Sequence, residues 1–312
     1  MTQPPVAGGG PDVSVIIPHY DDLPALDRGL DALMRQTYPA ARTEIVVCDN
    51  ASLPAAQVEA AIAGRARLVV EPAKGAGPAR NRAVAAARGS RLAFIDSDCI
   101  ADPDWLAQGL AALDDPALGA DLVGGRVKVF SDAARPTGAD LFEQIFAFDF
   151  KSYIERKGFT GAGNLFCSKA TFAAVGEFAA ELSEDVEWSR RAVAMGFRLR
   201  YCHTAVVSHP TRADWPALRA KWKRMTREAY LTRRKEGRGR AGWLARQLAV
   251  AASPLFHSPR VLLRAGFTPA EKLRAIGALW RIRWWRVGEA VRLAIEDPRP
   301  GAQRPPGATR QG

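Results

Sequence analysis

Asp96-Ser97-Asp98 follows the short apolar run Arg91–Ile95 (RLAFI). Two carboxylates one residue apart on a tight turn can face one divalent cation and the diphosphate it bridges. Hard cations such as Mg2+ and Mn2+ take oxygen ligands of this kind. Asp, Ser and Asp also suit a plain capped turn. Their position at the end of a hydrophobic strand in an α/β pattern favours the metal. Glu184-Asp185 opens a helix after Leu182-Ser183. Acids there complement the helix dipole, or one of them takes the proton from an acceptor hydroxyl; the residues alone leave both open. His209-Pro210 closes the strand Arg198–Val207, where the imidazole is either a third metal ligand or a packing residue. Lys74-Gly75-Ala76-Gly77 precedes Arg80, Asn81 and Arg82. Glycines let backbone approach a phosphate, and a helix N-terminus favours an anion. The P-loop GK[ST] is missing, and an ordinary tight loop reads the same.

These residues need elements to position them. Val13–Pro18, Glu44–Cys48, Arg67–Val70 and Arg91–Ile95 are short apolar runs, the pattern of buried strands. Leu23–Gln36, Ala55–Ala63, Pro78–Arg88 and Pro103–Leu113 have helical character, the third entered by a proline and the fourth capped by Asp102. Strands alternating with helices imply parallel pairing with crossovers. Ligands then sit beyond the carboxyl ends of the strands, at Pro18-His19-Tyr20-Asp21, Asp49-Asn50-Ala51-Ser52 and Asp96-Ser97-Asp98. From Leu122 the pattern is less regular: Leu122–Phe130 reads as a strand, Gly161–Phe166 as Gly-rich then apolar, and Glu184–Gly196 as a helix. The aromatic run Phe142, Phe146, Phe148, Phe150 and Tyr153 lines a cleft or fills a core, the core being preferred.

The order of these pieces resembles the family 2 glycosyltransferases of GT-A fold. The similarity covers roughly residues 12–211 and rests on VSVIIPHYDD, EIVVCDNAS, KGAGPARNRAVAAARGSRLAFIDSDC, SEDVEWSRRA and VSHP. The resemblance implies an α/β fold: a Rossmann-like, mostly parallel sheet flanked by helices, here with a C-terminal helical extension. It implies that Pro18 and Tyr20 line the base pocket and that Asp49 binds the base, typically uracil. Asn50 and Ala51 stand where Asp-Gly is commoner. Arg80 and Asn81 would approach the donor, Asp96 would contact ribose or metal, and Asp98 would hold Mg2+ or Mn2+ with His209 as an additional ligand. Asp185 would be the catalytic base of an inverting, single displacement at the anomeric carbon. The QxxRW motif of the processive synthases is missing, so one or a few sugars would be added per acceptor. A nucleotidyltransferase and a non-catalytic, membrane-associated scaffold of the same fold are the alternatives. The first lacks its Gly-rich, basic signature at IIPHYDD; the second would have lost Asp98 or Asp185.

The 312 residues are 47% hydrophobic, enough for a large core. Cys48, Cys99, Cys167 and Cys202 have no CxxC spacing and lie in or beside apolar runs, which reads as reduced core thiols. MTQPPVAGGGPD carries no signal-peptide pattern, and no run of 18 apolar residues is found. Charge is uneven: 22 basic and 27 acidic residues lie within 1–217, against 19 and 4 within 218–295. The basic segment calls for an anionic partner. Within it Leu273, Ile276, Trp280, Trp284, Val287, Val291 and Ile295 fall at helical steps among arginines, suiting an anionic membrane interface or docking on the catalytic domain. No nucleic-acid motif is visible. The expected organisation is a disordered 1–11, a catalytic domain over 12–215, a basic helical region over 216–296 and a disordered 297–312. The enzyme would be cytoplasmic and peripheral on the inner face of the cell membrane. It would use a nucleotide diphosphate-sugar, a UDP-sugar favoured, and a lipid-linked or glycan acceptor in envelope or extracellular polysaccharide synthesis.

Overall fold

The structure is a computed structural model that describes residues 10–52, 54–180, 183–237 and 239–296. The expected disordered ends, as far as residue 9 and from residue 297, lie outside the described residues, as does Leu182. The first compact unit runs to Asp132 and resumes over Phe146–Thr211. It opens with β1 (Val13–His19), α1 (Leu23–Leu33), β2 (Thr43–Asp49), α2 (Ala55–Ile62), β3 (Arg67–Val70), α3 (Ala76–Ala86), β4 (Arg91–Ile95), β5 (Ile100–Ala101) and α4 (Trp105–Asp114). After β6 (Leu122–Phe130) come α5 (Gly138–Phe146), α6 (Phe150–Lys157), β7 (Asn164–Ser168), α7 (Lys169–Val175), α8 (Glu184–Ala194) and β8 (Leu199–Pro210).

The strands form one sheet in the order β3-β2-β1-β4-β7-β6-β8-β5. β1 pairs in parallel with β2 and β4, β2 with β3, and β6 with β8. β7 runs antiparallel between β4 and β6, and β5 is antiparallel to β8. Both faces are covered. Val13, Val15, Ile17, Ala93 and Ile95 pack with Leu26, Leu30, Trp105 and Leu106 on one side. Ile16, Leu92 and Phe94 pack with Ala79, Ala83, Phe172 and Trp188 on the other. Burial on both faces is why β1 and β4 read as unbroken apolar runs rather than alternating ones. Cys48, Cys99, Cys167 and Cys202 are buried thiols outside any disulfide among the described residues, and they lie within these two cores.

Two helix starts differ from expectation. α3 begins at Ala76, so Pro78 is its third residue; a proline early in the first turn loses no intrahelical bond. α4 begins at Trp105 with Asp104 as N-cap, because the Asp102 carboxylate is taken by Lys128 Nζ at 2.8 Å.

The second unit comprises Ala133–Ile145 and the chain from Arg212, with α9 (Trp215–Lys235), α10 (Arg240–Leu262) and α11 (Pro269–Glu296). It takes Ala133–Ile145 out of the expected span 12–215 for a physical reason. Glu143 of α5 is buried and ion-paired to Lys221 Nζ at 2.5 Å and Arg212 at 3.8 Å, and Phe142 meets Trp222 edge-on at 6.4 Å. A buried carboxylate needs such partners. On α11 the buried face is Ala275, Leu279, Ile282, Ala290 and Ala294, while Leu273, Trp284, Val291 and Ile295 of the expected stripe are exposed. Small residues allow close helix contact, so the larger apolar residues are left outward.

Candidate active site

β4 ends at Ile95, and the chain turns at once through Asp96, Ser97 and Asp98. Antiparallel β7 beside β4 places the start of β7 at that turn, with Ile95 opposite Asn164. The loop before it, Gly161-Ala162-Gly163, therefore crosses the acidic turn. A Cβ on Gly163 would stand 2.6 Å from Asp96 Oδ2, so the close approach needs a glycine. At the loop's other end the Ala162 amide donates to Asp185 Oδ2 at 3.3 Å. This loop links the metal-type turn to the helix that holds the expected base. Its Gly-rich composition was the only sequence signal for it.

Arg80 of α3 joins the same groups from below. Its two outer nitrogens bond Asp96 Oδ1 and Glu184 Oε1, each at 2.6 Å. Burial works against the Arg80 cation, but Asp96, Glu184 and Asp185 more than offset it and keep it charged. Burial also pushes the Asp185 carboxyl up to about 6; Glu184 beside it adds to the rise, while Arg80 and the Val186 amide hold it down. An acid at that value is ionised at neutral pH yet basic enough to accept a proton.

Asp98 Oδ2 lies 3.2 Å from His209 Nε2. The other His209 nitrogen is 2.6 Å from the Pro210 carbonyl and so donates there, which directs Nε2 at the carboxylate. Phe148 leans on the imidazole with ring centroids 4.5 Å apart, so the aromatic run serves the site as well as the core, where Phe142 and Phe150 are buried. Ligand atoms of Asp96, Asp98 and Cys99 all fall within 4.8 Å of one another. Two carboxylates this close together, one of them meeting a ring nitrogen, are donors that suit a hard divalent cation.

The nucleotide-side candidates sit at the neighbouring strand ends. Pro18 is partly exposed and Tyr20 is half exposed, with Lys74 Nζ 5.3 Å from the centre of its ring. Asp49 is buried and accepts from His19 Nδ1 at 3.0 Å, Ser52 Oγ at 2.5 Å and the Ser52 amide at 3.0 Å. Its direct work is to fix the turn. Asn50 clamps the next loop through Glu71 O, Ala73 O and the Gly75 amide. Asn81 exchanges two 2.9 Å bonds with the Phe178 backbone, so its amide is committed to the segment preceding α8. Asp21, Ala51, Phe148 and Ser183 all have positive φ, each beside one of these groups. Non-glycine residues held there are characteristic of functional sites.

A Rossmann-type half-sheet joined to a mixed half, with an acidic turn and a helix opening on Glu184-Asp185 at the seam, is the GT-A glycosyltransferase architecture. A mannosyltransferase from Pyrobaculum calidifontis, determined with GDP-Man and Mn2+, superposes with a TM-score of 0.53 at 19% identity, over 93% of this chain and 76% of that one. Residues 14–181 match the profile Glycosyl transferase family 2. Glycosyltransferase AglE of Haloferax volcanii is 31% identical over 68% of this chain and 71% of its own length. The UDP-Glc:alpha-D-GlcNAc-diphosphoundecaprenol beta-1,3-glucosyltransferase WfgD of Escherichia coli is 35% identical over 31% of this chain and 38% of its own. The chain belongs to glycosyl transferase family 2 and is a glycosyltransferase.

Proposed function

We propose that the enzyme transfers a sugar, with inversion, from a nucleotide diphosphate-sugar to a hydroxyl of a lipid-linked or glycan acceptor in envelope or extracellular polysaccharide synthesis. The observation that carries this is one framework, Arg80 bonded to both Asp96 and Glu184, which sets a cation-and-diphosphate end beside a base end. Asp185, steadied by the Ala162 and Val186 amides, takes the acceptor proton. The oxygen so released attacks the anomeric carbon opposite the diphosphate, which leaves with the bonding pair. Mg2+ or Mn2+ held by Asp98 and His209, with Asp96 beside them, would supply Lewis-acid neutralisation of the leaving group. Tyr20 offers an open ring face for the base, and Asp49 acts on it through the turn it fixes. The donor and lipid-diphosphate acceptor printed in the name of WfgD favour a UDP-sugar and a lipid-linked acceptor here too.

The test is a screen of UDP-, GDP- and dTDP-sugars for thermal stabilisation and slow donor hydrolysis, with Mn2+, with Mg2+ and with EDTA. A UDP-sugar should stabilise the enzyme, and more so with metal. No response to any nucleotide sugar under any of these conditions would overturn the reading.

Peripheral attachment to an anionic, cytoplasmic membrane face belongs to the same proposal. α10 buries Trp243, Gln247, Pro254 and Val261 and turns Leu244, Leu248, Leu255, Phe256 and Leu262 outward. No acidic residue occurs between Glu236 and Glu271. No described helix is long and apolar enough to cross a membrane; these features suit a helix lying in the interface. The full chain should float with phosphatidylglycerol vesicles and not with phosphatidylcholine ones. Binding should weaken as salt shortens the screening length to about 3 Å near 1 M. L248E with F256E, both at solvent-facing positions, should cut flotation at least tenfold. Equal binding to both lipids, or no loss in the double variant, would refute the attachment.

A further inference from the structure

Inside the helical unit lies a group of cations that the described residues do not neutralise. Trp222 of α9 is faced by two guanidinium groups of α11: Arg286 at 4.0 Å from the ring centre and Arg283 at 5.8 Å. Neither has an acid within 4.0 Å or a hydrogen bond among the described residues, and both Nε atoms are buried without a partner. The acids of the same helix are used elsewhere, Glu289 and Glu296 by Arg292. Arg246 of α10 adds a third positive charge that acts on Arg286, whose pKa is brought down to about 9 by burial first, and then by Arg283 and Arg246. Burial alone lowers that of Arg283.

The neighbouring polar atoms point the same way chemically. Trp222 Nε1 is buried and unbonded, and so is the hydroxyl of Thr226, a residue 3% exposed and one turn along α9. The unsatisfied set consists of N–H and O–H groups able to donate. Three cations set together without a counter-charge are unfavourable in a protein interior. Stacking on tryptophan offsets only part of that cost. What such a set lacks is an acceptor-rich anion. Arginine forks match phosphate oxygens in pairs. The outer nitrogens of Arg283 and Arg286 make no hydrogen bond among the described residues and, unlike their Nε atoms, are not among the buried unpartnered ones.

We propose that α9, α10 and α11 form a phosphate-binding site, with Arg283 and Arg286 on the ring of Trp222 and Arg246, stacked on Trp243, adding its charge to theirs. Its ligand is a phosphate monoester or a diphosphate, borne by a lipid at a membrane surface or free in solution. The site belongs to the helical unit and uses none of the residues assigned to sugar transfer.

The experiment uses the full chain in EDTA, in a buffer free of phosphate and sulfate. Pyrophosphate should raise the melting temperature, and calorimetry should show the R283Q/R286Q protein binding it at least tenfold more weakly. R219Q/R227Q removes two exposed charges of α9 and should change binding less than twofold. R246Q, at an exposed residue of α10, should weaken it by a smaller factor than R283Q/R286Q and guards against misfolding of the double variant. Without ligand, R283Q/R286Q should melt no lower than wild type, because it removes repelling charges. Donor hydrolysis should be unchanged in it, which separates failure here from failure of the transferase proposal. In parallel, vesicles containing phosphatidic acid are compared with phosphatidylglycerol ones of equal charge density. A preference for phosphatidic acid that is lost in R283Q/R286Q, without a response to pyrophosphate, would assign the site to a lipid-borne phosphate; a response to pyrophosphate alone would assign it to a soluble one. R283Q/R286Q binding like wild type, a loss matched by R219Q/R227Q, or a lower melting temperature of the ligand-free double variant would each overturn the proposal.

Discussion

Asp185→Asn should leave donor binding intact and lower the transfer rate by a factor of about 10² or more, the usual scale for loss of a general base. The amide keeps the shape of the carboxylate, and its one oxygen still accepts from either the Ala162 or the Val186 amide, which bond different oxygens of Asp185, but it cannot take a proton. Two further readouts follow from the raised pKa. In the wild type, kcat/KM should fall as pH drops through about 6, where Asp185 protonates; the residual rate of the variant should lack that limb. Stability should move the other way. The folded chain holds the Asp185 proton up to about pH 6, whereas an unfolded aspartate gives it up near 3.8. The group therefore favours folding at pH below the unfolded value, and that contribution is lost as pH rises through the folded one. Asparagine does not titrate. The variant should melt above wild type at neutral pH, and the gap should close as pH falls towards about 4. Thermal melts across that range, with a donor-binding titration at pH 7, decide the matter. If donor binding is lost while the fold survives, Asp185 is a donor-site residue rather than the base.

The parallel half of the fold was legible because its strands are buried on both faces. VSVIIP and RLAFI have too few polar residues to be anything but central strands, and the polar residues following them mark the ligand edge. The antiparallel insertion of β7 was not legible. GAGNLF is short, and nothing in its composition says that it runs against β4. Yet this strand brings Gly163 onto Asp96 and Ala162 onto Asp185. Types of residue were easier to read than their partners. Asp49 and Asn81 stand at motif positions, but their side chains hold a turn and a loop. In α11 the stripe read for a membrane interface or for docking divides: alanines with Leu279 and Ile282 pack inward, and four of its seven large apolar residues, Leu273, Trp284, Val291 and Ile295, face outward. The face of α10 was missed because its apolar residues are diluted by alanine. A run as short as Gln247–His257 without charge looks unremarkable until the helix shows which side is covered.

Asp98→Ala should abolish transfer and, in the same measurement series, abolish stabilisation by Mn2+. Asp98 is partly exposed, at a turn after β4, so its removal creates no core cavity and the ligand-free protein should melt close to wild type. What it removes is the carboxylate that meets His209 Nε2 at 3.2 Å. His209→Ala should be milder for the metal, because two carboxylates remain at the turn, but less benign for the fold. The imidazole is buried, packs on Phe148 and bonds the Pro210 carbonyl. Asp96→Asn separates the two functions of the acidic turn. It weakens the ion pair to Arg80, leaving that buried cation with Glu184 as its bonded partner, so it should cost stability as well as rate. The order expected for Mn2+ affinity is wild type, then His209→Ala, then Asp98→Ala with none measurable. Calorimetry with the metal alone tests this order without reference to turnover. Unchanged Mn2+ affinity in Asp98→Ala would place the cation elsewhere and leave Asp98 as a partner of His209 only.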